Sequence, residues 1–346
     1  MKTTEITRRE AVKLVIAGAL CAATTPVMAW ADDDADAVDT GASSPTTDNT
    51  TDAADADTDG TADDAATDDS SSSSSASSSK KKKKKKKKKQ KPATRKQLLR
   101  TLSNLGGGKK FRAVNTTYKF NSAAGKRLKK AAAAVERVSE GGVLAFCMLD
   151  LTTGKGVSYN AQQVIYGASC MKGPYIASLN KYRPSTRAQA ASSMYQVIVE
   201  SNNEVYLDMR RRRFGSATMV PFLKYCKVHL GPSRTYPFMP ARSLAKLWVG
   251  CYWYFYKNTN KNSKWCRNLY THGNQSFIYQ TFKGTYKVHT KPGWSPGFRG
   301  NVQNDAGIVM AGNKPYLLVV MSGAAGCFSQ LRELCHALNA VHKEIA

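Results

Sequence analysis

The stretch Tyr166-Gly167-Ala168-Ser169-Cys170-Met171-Lys172-Gly173-Pro174 puts a serine at the start of a helical pattern covering about 169–181. A serine at a helix N-terminus feels the positive end of the dipole, which favours an oxyanion developing beside it. Lys172 follows three residues later, on the same face. A lysine held close to a hydroxyl can take its proton where burial and positive neighbours lower the amine's pKa. Ser-x-x-Lys alone is a common match in a basic chain, so its reading depends on what stands on either side.

Upstream, residues 122–138 read as a helix stopped by Gly141-Gly142. Val143 to Leu151 is an apolar, β-compatible run. Thr152 to Lys155 turns, and Gly156 to Tyr159 returns as a hairpin. Downstream, helical patterns cover about 187–200, 216–228 and 240–257. Tyr286–Thr290, Ala306–Met310 and Tyr316–Met321 read as strands, and a last helix runs over about 328–343. The two early strands can pair with the three late ones in a single sheet, with the intervening helices as a separate subdomain. A cleft between sheet and helices is the natural site.

Two further elements follow the first in order. Ser201-Asn202-Asn203 closes an apolar helix end, and Lys291-Pro292-Gly293-Trp294 continues the strand through His289-Thr290. The ordered set Ser-x-x-Lys, Ser-x-Asn and Lys-x-Gly resembles the class A β-lactamase and penicillin-binding serine hydrolase superfamily. The surroundings agree over about 120–346. Met148 to Asn160 resembles that family's first hairpin, Ser201 to Gly215 its second motif helix, and Gly300 to Val309 its last strands.

The resemblance implies an α/β (α+β) fold: an antiparallel five-stranded sheet flanked by helices, plus a helical subdomain. It implies Ser169 as nucleophile, Lys172 as general base and Ser201 as proton relay to the leaving nitrogen. Asn203 would position substrate and Lys172, and Lys291 would hold a substrate carboxylate. Gly293 and Trp294 would form the substrate edge, with the N–H groups of Ser169 and Trp294 as oxyanion hole. Substrates would be β-lactams or D-Ala-D-Ala-like peptidoglycan peptides.

Three departures stand against the family pattern. Asn202 replaces the usual aspartate. Pro292 replaces the usual Thr or Ser, which is tolerable on an edge strand. The third is the largest. Between Glu204 and Lys291 the only carboxylate is Asp208, and Val228 to Tyr236 is too short for the family's glutamate-bearing loop. Acylation is therefore expected to be intact and deacylation slow.

The chain has 346 residues and a net charge of +27, unevenly spread. Residues 1–31 combine Arg8-Arg9 and Lys13, an apolar stretch and Ala29-Trp30-Ala31, which is a signal peptide of twin-arginine-like character, the general secretory route being the alternative. Residues 32–93 form a disordered tether: 14 aspartates without a basic residue over 32–69, a serine tract, then Lys80 to Lys89. The lysine run either binds an anionic envelope polymer or membrane surface, or is a solvated linker. Residues 94–117 read as a linker with one short helix (Leu98, Leu99, Leu102, Leu105), and the domain itself as 118–346. The expected location is exported, extracellular or wall-associated, and the expected state a monomer.

Export argues against a nucleic-acid partner. The five histidines and seven mature cysteines show no metal-ligand spacing, so no metal or other cofactor is expected. The aromatic run Trp248, Tyr252, Trp253, Tyr254, Phe255 and Tyr256 reads either as core or as a sugar-stacking face. The second choice supports an alternative function, a non-catalytic wall-binding protein on the same fold.

Overall fold

Apolar runs that are buried on both sides need helices on both faces of the sheet, and this chain supplies them. The structure is a computed structural model describing residues 92–346 except 258–259, 274 and 298–299. The expected signal peptide, acidic tether and Lys80–Lys89 run lie outside the described residues. In chain order the elements are α1 (Arg95–Ser103), β1 (Phe111–Val114), α2 (Ala123–Val138), β2 (Leu144–Asp150), β3 (Gly156–Tyr159) and β4 (Val164–Tyr166). Next come α3 (Lys172–Tyr182), α4 (Thr186–Tyr195), α5 (Asn203–Leu207), α6 (Val220–Cys226), β5 (Phe238–Pro240) and α7 (Ala241–Tyr252). The chain closes with α8 (Lys261–Leu269), α9 (Phe277–Phe282), β6 (Lys287–Ser295), β7 (Val302–Met310), β8 (Tyr316–Ser322) and α10 (Phe328–Ile345).

The main sheet runs β1-β3-β2-β8-β7-β6, with every neighbouring pair antiparallel. The two early strands do pair with the three late ones, through β2 and β8. The sheet has six strands, one more than expected, because β1 adds an outer edge against β3. Along β2 the side chains alternate. Leu144, Phe146 and Met148 enter one core layer with Leu128 and Val135 of α2 and Leu334 and Leu338 of α10. Ala145, Cys147 and Leu149 enter the other, with α1, α3 and α7.

The core reaches upstream of residue 118, where the domain was expected to begin. Leu98, Leu99 and Leu102 of α1 are buried in the same core layer as Ala145 and Cys147. A capping box, Thr94 with Gln97, starts that helix, and Ala93 N–H donates to Thr152 O at 2.6 Å. Four leucines at helical spacing were legible; that they have a partner surface more than 40 residues away was not.

Four of the expected helices begin or end in tighter or wider turns. A 3-10 turn (Ala168–Met171) precedes α3 and another (Ser216–Met219) precedes α6, while π-helical turns follow α4 (Gln196–Glu200) and α7 (Trp253–Lys257). The β4–β5 ribbon, α8 and α9 were not anticipated. The aromatic run resolves as core: Trp248, Tyr252, Tyr254 and Phe255 are buried, so no sugar platform forms there. All seven cysteines among the described residues are free thiols, and only Cys327 is not buried.

Candidate active site

The turn that carries Ser169 is made by backbone strain and a glycine. Ala168 takes the left-handed φ of 44° immediately before Ser169, a conformation costing a non-glycine residue about 1–2 kcal/mol. Gly167 N–H donates to Pro237 O at 3.0 Å, which ties the turn to the residue before β5. Ser169 then lies in the first turn of a helical run continuing into α3, where N–H groups lack intrahelical acceptors. Across from it passes β6, the last strand of the sheet. A Cβ at Gly293 would lie 2.5 Å from Cys170 N and 2.7 Å from Ser169 N. Only glycine lets this edge strand come so close.

Four expected residues converge beneath that edge. Lys172 Nζ donates to Ser201 O at 2.6 Å and to Asn203 Oδ1 at 2.6 Å, and lies 3.3 Å from Ser201 Oγ. Lys291 Nζ donates to the same Ser201 Oγ at 2.9 Å. Local structure accounts for the arrangement. Ser201 ends the π-helical turn in a left-handed conformation, φ 57°, which turns both its carbonyl and its hydroxyl toward the lysines. Asn202 then N-caps α5 by accepting from Val205 N–H at 3.0 Å. Asparagine caps as well as aspartate, so this departure from the family pattern leaves the turn intact.

Both lysines are buried, at 0% and 1% exposure, with no carboxylate bonded to either among the described residues. Burial, with the Lys291 charge added, pushes Lys172 down to about 6. Burial pushes Lys291 to about 8, with Asp305 pulling the other way. At pH 7 Lys172 is therefore mostly a neutral amine and Lys291 a cation. A neutral amine has two N–H donors and one lone pair. Its short bonds to Ser201 O and Asn203 Oδ1 use the donors and leave the lone pair to accept a hydroxyl proton.

The remaining expected residues are less tied down. Ser169 is half-buried, and among the described residues its hydroxyl bonds to no side chain; its backbone N–H lies close against Gly293 of β6. Trp294 is 53% exposed on the β6 edge. Pro292 pairs with Asp305 on β7, and no strand lies on the other edge of β6 among the described residues, where a proline removes no ladder bond. Asp208, the sole carboxylate between Glu204 and Lys291, pairs at the surface with Arg212 at 3.3 Å. It is not part of the lysine group.

Sequence reasoning missed three members of the surroundings. Tyr236 Oη donates to Asn203 Oδ1 at 3.0 Å. The Tyr206 and Tyr236 rings lie 5.7 and 5.9 Å from Lys172 Nζ. Asp305, buried on β7, accepts from Ser276 Oγ at 2.5 Å and Ile278 N–H at 2.9 Å. Burial still raises its carboxyl to about 7. None of these carries a spacing signal, since their contacts span 27 to 64 residues or depend on the sheet register.

Comparison with known proteins agrees with this geometry. A model of the β-lactamase enzyme family matches residues 230–342. A class A β-lactamase from Clostridium kluyveri is similar over 63% of this chain and 99% of its own, at 17% identity and a TM-score of 0.50. The β-lactamase from Streptomyces albus G is similar over 64% of this chain and 99% of its own, at 16% identity and a TM-score of 0.50. No curated protein matches. The fold is thus that of class A β-lactamases, and residues 230–342 match the model of the β-lactamase enzyme family.

Proposed function

We propose that this protein is an exported serine hydrolase that forms an acyl-enzyme on Ser169 with β-lactams or D-Ala-D-Ala-like wall peptides and releases it slowly. The observation that carries the reading is the Lys172 amine: fully buried, depressed to about 6 and bonded to Ser201 and Asn203. In the acylation step, Lys172 Nζ takes the Ser169 proton as Oγ bonds to the substrate carbonyl carbon. Collapse of the tetrahedral adduct breaks the C–N bond. Lys172 returns the proton through Ser201 Oγ to the leaving nitrogen, leaving an ester on Ser169. Lys291, charged near neutral pH, holds the substrate carboxylate. The Ser169 and Trp294 N–H groups serve as oxyanion hole, each worth about 3–4 kcal/mol.

Slow release follows from the missing acid. Hydrolysis of the ester needs a base for the incoming water, and the family's loop glutamate has no counterpart in this sequence. Arg8-Arg9 and the apolar stretch behind them support export, and Lys80–Lys89 supports retention at an anionic envelope surface. The test is incubation of the mature protein with a labelled penicillin followed by digestion. A lasting adduct on the peptide holding Ser169, absent in Ser169→Ala, is expected. Many turnovers of a chromogenic β-lactam would overturn slow release. No adduct with any β-lactam or acyl-D-Ala ester would overturn the enzyme reading in favour of a wall-binding protein.

A further inference from the structure

The short segment in place of the family's glutamate loop is held by a buried cation. Arg210, 1% exposed, has no carboxylate partner among the described residues. Its Nη2 donates to Pro232 O and to Arg234 O, both at 2.8 Å, and its Nη1 donates to Tyr206 Oη at 2.7 Å. Tyr206 Oη in turn donates to Thr235 O at 3.0 Å. Burying a guanidinium is costly unless its donors are satisfied, and here the two Nη atoms gather three backbone carbonyls of one loop, directly or through Tyr206, while Nε bonds to nothing among the described residues. The loop between Pro232 and Thr235 is therefore stapled to α5 and the turn after it.

The residue that follows the staple is Tyr236. Its hydroxyl donates to Asn203 Oδ1 at 3.0 Å, and the same oxygen accepts from Lys172 Nζ at 2.6 Å. A carboxamide oxygen has two lone pairs, and both are now engaged. This fixes which way the Asn203 amide faces. It also makes Oδ1 a poorer acceptor for a third, charged donor.

We propose that Tyr236, delivered by the Arg210 staple, is a positioning residue for the base: it orients the Asn203 carboxamide and competes with Lys172 for its oxygen, so favouring the neutral amine over the ammonium. The groups facing Lys172 are Lys291 from β6, Tyr206 from α5 and Tyr236 itself, together with Ser201 and Asn203. Burial holds the Tyr236 phenol far above its ordinary value, so it stays a donor throughout the working pH range. The role deepens the acyl-enzyme reading but is measurable without it.

The experiment is a titration of Lys172 in the full-length protein by lysine side-chain carbon NMR, assigned with Lys172→Met, in the natural protein and in Tyr236→Phe. The variant keeps the ring and loses only the hydroxyl. Its Lys172 midpoint is expected to rise by about half to one pH unit, the size of one neutral hydrogen bond. In acylation by a labelled penicillin, the acid limb moves up by the same amount, with a loss of about 3- to 10-fold at pH 6 and less than about twofold at pH 8. A purely structural role would lower the rate equally at both. An unchanged Lys172 midpoint overturns the proposal whether or not the protein acylates. Absence of any adduct in the natural protein overturns the acyl-enzyme reading instead.

Discussion

On the α2–α10 side of the sheet, Leu128, Ala131, Ala132 and Val135 recur at helical spacing and bury against Phe146 and Met148. The β6 edge is assembled differently. Lys172, the Ser201–Asn203 turn and Lys291 come from three separate segments, and two non-glycine residues there hold left-handed backbones. The first region gains stability from each residue it buries. The second buries two amines without a carboxylate and strains Ala168 and Ser201, so it loses stability and gains a lone pair aimed at chemistry. The packed helices supply the free energy that keeps the strained edge in place.

The comparison is sharpened most by Ser169→Ala. Acylation is expected to fall by more than about 10³-fold, while the thermal midpoint moves by no more than a degree or two, checked by adduct mass and calorimetry. Lys172→Met comes next. It removes the base, lowering acylation about 10³-fold, yet replaces a desolvated amine with an apolar chain of similar length, so Tm is expected to rise by several degrees. A fall in Tm would break the contrast between the two regions. On the packed side, Leu338→Ala is expected to cost about 2–5 kcal/mol in urea unfolding, with acylation per folded molecule unchanged.

Asp150 gives a smaller effect. Burial opposes its charge, but bonds from His342 and Thr153 outweigh that and hold its carboxyl below the usual range. A depressed folded-state value means the stability is present above about pH 4 and lost as pH falls below it. Asp150→Asn should remove that acid-dependent portion, about 1–3 kcal/mol, read from unfolding curves at several pH values. The mildest test is the pH profile of acylation. Lys172 must be neutral and Lys291 charged, so the rate rises through about 6, falls through about 8, and changes about tenfold per unit outside.

Much of the packed side was legible. Residues 122–138 and 328–343 read as helices because their apolar positions repeat every three to four residues, and Ala123–Val138 and Phe328–Ile345 form as expected. The strand runs were legible because they are short, continuous apolar stretches bounded by turn residues. At the site, the three motifs marked Ser169, Lys172, Ser201, Asn203 and Lys291, and Gly293 carried its own explanation once β6 met the nucleophile turn. Less legible were α1 and β1, which looked like a linker because a short amphipathic segment does not name the surface it covers. Tyr236 and Arg210 were invisible, since a hydrogen bond spanning 33 residues or a cation on loop carbonyls leaves no periodic trace.

From the sequence by itself came the helices and strands, the order of the motifs and the missing acid, because periodicity, capping and composition are local properties. Which two of 52 lysines and arginines would be drained of water and turned toward one serine was decided only by the tertiary structure. Desolvation and convergence depend on what packs against a side chain, and three distant segments had to meet before the Lys172 amine could be neutral near pH 7.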